Sequence, residues 1–175
     1  MLCSLSAERS LAQSSEGVVV ATANIVAPPS ASAGTAMAGL LCLPSGRLRI
    51  AHFVAGEGDL LSQAQAAFAA ADRPSLGGGG QAPAKLSISL EGVEASLCAR
   101  KYGTFGLGDR RSLSGRAEFR FSWSAIRAGE NAPARTELVR LEVPKAQARP
   151  IEALLADALA VLARKVLNAL GSSQL

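Results

Sequence analysis

Between residues 84 and 170, three strand-like runs follow one another and a long amphipathic stretch closes them. Leu86, Ile88 and Leu90 alternate with Lys85, Ser87, Ser89 and Glu91. Ala117, Phe119, Phe121 and Trp123 alternate with Arg116, Glu118, Arg120 and Ser122, and Val139, Leu141 and Val143 alternate with Arg140 and Glu142. A period of two with one apolar side suits a half-buried antiparallel strand, because successive side chains point to opposite faces. From Pro150 the period changes to that of a helix. Ile151, Leu154, Leu155, Ala158, Leu159, Leu162, Val166 and Leu170 make one stripe, with Pro150 near the first helical position and Gly171 as the stop.

Upstream, Arg47–Val54 sets Leu48 and Ile50 against Arg47 and Arg49 and reads as a first sheet strand. A helix is expected over Leu60–Ala71, capped by Asp59, with Leu61, Ala64, Phe68 and Ala71 on one side and Pro74 ending it. The order strand, helix, three strands, helix predicts an α+β fold. Its expected form is a two-layer domain, a four-stranded, mainly antiparallel sheet with two helices packed on one face, over residues 47–171. Residues 13–46 are rich in Ala, Ser and Pro and are expected to be partly disordered. Within them Val18–Val26 reads as a short strand ended by Pro28-Pro29, and Leu40–Leu43 as an apolar run ended by a turn at Pro44-Ser45-Gly46.

Residues 1–12 read as a truncated export signal. Ser10 and Ala12 stand at the −3 and −1 positions of a cleavage site before Gln13, although the apolar stretch is short and interrupted by Glu8 and Arg9. A plain N-terminal tail is the other reading. Cleavage there would remove Cys3 and leave Cys42 and Cys98, an even pair that in an exported protein is a candidate disulfide. Two buried thiols acting as small hydrophobes are the alternative. No run of about 18 uncharged apolar residues occurs, so the chain is not expected to span a membrane with a helix.

Charge is unevenly placed. The net formal charge is +4, and residues 100–120 hold six Lys or Arg against two acidic residues. Such a cluster suits an anionic partner. Tyr102-Gly-Thr-Phe-Gly-Leu-Gly-Asp109 reads as a wide hairpin turn, because strand pattern lies on both sides of its glycines and a dinucleotide loop needs a helix after it. Phe105 and Leu107 would stand at the tip, with Lys101, Tyr102, Arg110 and Arg111 around them. An apolar tip with a basic rim suits a lipid interface. The same residues could serve single-stranded nucleic acid, with Tyr102 and Phe105 stacking on bases. A solvated, folded-back hairpin is the plain reading.

Catalysis finds little support. His52 is the chain's one histidine and reads as a structural strand residue. No GxSxG, HExxH or CxxC motif occurs, and no carboxylate pair has spacing that suggests acid–base work. The expectation is a protein that is not an enzyme and takes no cofactor and no metal.

The element order over residues 47–170, with the helix that begins Arg149-Pro150-Ile151-Glu152-Ala153-Leu154-Leu155, resembles the small bacterial envelope lipoproteins that assist transport. These are the auxiliary lipoproteins of ABC-type transporters and the lipopolysaccharide-assembly lipoprotein. In those families a lipid-modified cysteine follows a lipobox, and Gly39-Leu40-Leu41 before Cys42 is not one. The resemblance implies a periplasmic or envelope-associated, non-enzymatic accessory of a transport or envelope-assembly system. Its expected partner is an envelope protein or an anionic lipid. A nucleic-acid-binding α+β module using residues 100–120 is the alternative.

Overall fold

The computed structural model describes residues 18–71, 83–102, 110–127, 129–144 and 150–172, with 100–102 and 110–112 described as backbone alone. The fold is α+β, but the sheet is wider and more mixed than the sequence predicts. Seven strands form it: β1 (Val18–Ile25), β2 (Ser32–Ala38), β3 (Leu43–Arg49), β4 (Ala84–Tyr102), β5 (Arg110–Arg127), β6 (Glu130–Asn131) and β7 (Arg135–Val143). Two helices, α1 (Glu57–Ala71) and α2 (Ala153–Ser172), complete it. The expected four-stranded, mainly antiparallel sheet is therefore incorrect.

The sheet is organised by the long antiparallel pair β4 and β5. Along the outer edge of β4, β1 pairs in parallel with Ala84–Leu90 and β2 in parallel with Ala95–Ala99. β3 then pairs antiparallel with β2. On the far side of β5, β7 covers Gly115–Trp123 and β6 covers Ile126 and Arg127. The two parallel pairings carry the correction. Within the segment 13–46, expected to be partly disordered, residues 18–46 supply β1, where a short strand was expected, together with β2 and the first part of β3.

One bulge reconciles β4 with its sequence pattern. The β4–β5 register shifts between Leu90 and Gly92, which inserts Glu91. A one-residue insertion moves every later side chain to the other face. Buried positions accordingly run Leu86, Ile88, Leu90 and then Val93, Ala95, Leu97. Glu91 stays on the open face, where its Oε1 accepts a hydrogen bond from Ser122 Oγ at 2.6 Å.

α2 fills its predicted role. Leu154, Leu155, Ala158, Leu159, Leu162, Ala163 and Val166 are fully buried in one core with Phe119, Phe121 and Trp123. Phe53 reaches the same core and meets Phe119 edge-on, with ring centroids 5.7 Å apart. α1 packs on α2 and on β1 and buries Leu60, Ala64 and Phe68, with Leu61 and Ala71 partly buried against the same core; of the expected stripe only the first position moves, from Leu61 to Leu60. Asp59 lies inside the first turn instead of capping it; its carboxylate accepts from Ala55 N–H and from Gln63 Nε2. The strand expected over 47–54 ends at Arg49 and gives way to a short 3₁₀ helix, Ile50–His52. His52 Nδ1 accepts the Arg49 N–H at 3.0 Å, so the histidine closes a turn. Pro150–Glu152 form a turn that leads into α2, with Ala153 N–H donating to the Pro150 carbonyl.

Cys42 and Cys98 are bonded, with Cα atoms 5.3 Å apart. Closing the 42–98 loop contributes about 4 kcal/mol in the chain-entropy model. Thermal unfolding with and without reductant should differ by roughly 10 °C in Tm. Equal melting temperatures, with thiol titration showing that both cysteines had been reduced, would contradict this.

Candidate binding surface at the hairpin end

Four of the six residues predicted to contact a partner come together at one end of the sheet. Lys101 and Tyr102 close β4, Arg110 and Arg111 open β5, and the register sets Lys101 beside Arg111 and Tyr102 beside Arg110. Arg100 is the next β4 position, opposite Ser112. Phe105 and Leu107 lie outside the described residues.

A second turn sits beside this end, and the sequence reading missed it. β2 runs parallel to β4, so its C-terminal end points toward the Tyr102–Arg110 end of the β4–β5 pair. Met37 pairs with Cys98 and Ala38 with Ala99. The chain then reverses over Gly39–Cys42 into β3. The reversal needs two positive φ values, at Gly39 (81°) and Cys42 (50°). It is held at three points. Gly39 N–H donates to the Ala99 carbonyl, Cys42 N–H donates to the Gly39 carbonyl, each at 3.3 Å, and the disulfide ties Cys42 to β4.

The expected turn at Pro44-Ser45-Gly46 is instead strand β3. Pro44 is tolerated there because β3 is an edge strand, where no ladder donor is required of it. Moving the turn four residues earlier brings the apolar run to its tip. Leu40, Leu41 and Leu43 are 78%, 81% and 62% exposed. Three bare leucines on one short hairpin are unusual, since contiguous apolar surface on a folded protein generally marks an interaction site. A reader of the sequence had one signal for this: Leu40-Leu41-Cys42-Leu43 carries a cysteine able to pin a turn.

The electrostatics favour an anion at this end. The Arg100, Lys101, Arg110 and Arg111 positions have no acidic partner across the β4–β5 register, and Arg47 on β3 is exposed on the far side of β2. Arg116 belongs to the mixed-charge part of the open face, opposite Glu142 of β7 and with Glu94 and Glu118 nearby, where Glu118 Oε2 accepts from Arg140 Nε at 2.7 Å. Alternating signs make that part of the open face a solvated, self-compensating surface. Such exposed pairs contribute little to stability.

The opposite end of the sheet holds a cleft of about 370 Å³. Trp123, Ala125, Asn131, Arg135 and Leu170 are among its walls. The Arg135 guanidinium stands 5.7 Å from the centre of the Trp123 ring, and Trp123 Nε1 is buried without a hydrogen-bond partner. This cleft meets the C-terminal part of α2, whose carbonyl ends attract cations. Among the described residues no three His, Cys, Asp or Glu side chains gather as a metal site would require. No helix among them is long and apolar enough to cross a membrane.

No family model matches the chain, and no curated protein matches its sequence. It is similar to a solved structure described as "Crystal structure of uncharacterized protein", at 9% identity and a TM-score of 0.46, over 87% of this chain and 90% of that one.

Proposed function

We propose that this chain is a non-enzymatic binding protein of the cell envelope. It would act as an accessory of a transport or envelope-assembly system, using the hairpin end of its sheet to hold an anionic partner. The observation that carries the reading is the meeting of two hairpins there. One brings four basic positions within three residues of the strand ends, and the other presents exposed leucines on a disulfide-held turn. Arginine suits such a partner because its planar fork donates two hydrogen bonds to one phosphate or carboxylate. A disulfide that ties a surface turn in place fits an oxidising compartment.

Replacing Arg110 and Arg111 together with Ser tests the reading. Both open β5 at the end of its register with β4, so stability should change by less than about 0.5 kcal/mol. Binding to vesicles containing phosphatidylglycerol should weaken roughly tenfold at low salt, and the difference should shrink as salt is raised. A double variant that binds as tightly as the wild type at every salt concentration would exclude the basic hairpin as the contact. Steeply salt-dependent binding to RNA, with none to vesicles, would favour the nucleic-acid module instead.

A further inference from the structure

We infer that the β2–β3 turn is an apolar wedge that enters the interface of an anionic bilayer, with the adjoining basic hairpin resting on the headgroups. This deepens the binding reading above and rests on it.

Leu40, Leu41 and Leu43 are exposed together at the β2–β3 turn. A projecting apolar tip matches the upper acyl region of a lipid leaflet, where amphipathic protein elements bury their apolar side by roughly 5–10 Å. Lipid demands that backbone polar groups be satisfied within the protein. The turn meets part of that demand already, through the Cys42 N–H bond to the Gly39 carbonyl and the Gly39 N–H bond to the Ala99 carbonyl. The disulfide fixes the turn before contact, so little ordering is left to oppose insertion.

The charge is in the matching place. Ala99, the β4 partner of Ala38 at the base of the turn, is followed directly by Arg100 and Lys101, with Arg111 and Arg110 facing across the β4–β5 pair. Basic residues beside an inserted apolar tip gain from the negative surface potential of an anionic leaflet, which decays within a Debye length. An acidic protein surface would meet the arginines but would leave the three leucines in water. The bilayer accounts for both features at once.

Trp123 is the chain's one tryptophan. It is buried at the far end of the sheet, so its emission is a constant background. A Leu41→Trp variant therefore reports the tip. Mixed with phosphatidylcholine/phosphatidylglycerol vesicles, its emission should shift to the blue and be quenched by lipids brominated on the acyl chain. Leu40→Ser/Leu41→Ser should bind those vesicles roughly tenfold more weakly or worse, with wild-type melting temperature and wild-type salt dependence. An unshifted Leu41→Trp spectrum on vesicle-bound protein would overturn the wedge while leaving the basic contact standing. Full-strength vesicle binding by Leu40→Ser/Leu41→Ser would do the same. Wild-type protein that ignores these vesicles at low salt would remove the wedge and the anionic-lipid reading together.

Discussion

Leu159→Asp should leave the protein unfolded at room temperature. Leu159 lies midway along α2, fully buried in the core that holds Phe119 and Phe121. An aspartate at this fully buried position is cut off from water, so folding would bury either a charge or a protonated acid in the apolar core. Either costs several kcal/mol beyond the lost leucine contacts. That is comparable with the whole stability of an ordinary domain, about 5–15 kcal/mol. Leu159→Ala separates the two contributions: it leaves a cavity without a charge and should cost about 3 kcal/mol. Circular dichroism melts of the two variants measure both. A cooperative, near-wild-type transition for Leu159→Asp would mean that α2 does not cover the sheet.

Gly34→Ala and Gly115→Ala should each destabilise by roughly 3 kcal/mol or more. The two glycines approach β4 from opposite sides, Gly34 on β2 opposite Ala95 and Gly115 on β5 opposite Leu97. Both have positive φ, 114° and 136°, which L side chains rarely adopt. A Cβ on Gly34 would collide with the Ala95 carbonyl oxygen, and one on Gly115 with the Ser96 carbonyl oxygen. Those atoms belong to the central strand and cannot move aside without breaking its ladder. Gly46→Ala is the control, since Gly46 has ordinary φ and open space around it. It should stay within about 0.5 kcal/mol of wild type. Chemical denaturation of the three variants tests the contrast, and equal losses at all three positions would contradict the close approach of β2 and β5 to β4.

Those glycines also show why part of the fold was hidden in the sequence. β5, β7, α2 and the first half of β4 were legible because each buries one regular set of apolar side chains. β2, Ser32–Ala38, has no such set. Small residues and Gly34 let its backbone lie close to β4, and backbone pairing leaves no hydrophobic period to read. Its parallel pairing, and that of β1, joins residues far apart in the chain, which local patterns cannot express. The alternation that is clear up to Glu91 in β4 is broken by the bulge there, and Gly92 is its mark in the sequence.

The candidate surface divides in the same way. The charge cluster around Arg100–Arg120 stood out by composition, and the Cys42–Cys98 pairing followed from an even cysteine count in a chain read as exported. The leucine tip was missed because Leu40–Leu43 has the composition of a buried strand. Only the disulfide and the β2–β4 register put it at the sheet's end.

Wild-type protein titrated with phosphatidylcholine vesicles, with and without phosphatidylglycerol, at low and at high salt is the most direct measurement. Binding is expected with the anionic vesicles at low salt, and it should weaken but persist at high salt. Screening removes the basic contribution and leaves the leucines' share. Equal binding to neutral and anionic vesicles, or none to either at low salt, would contradict the hairpin end as an anionic-lipid contact.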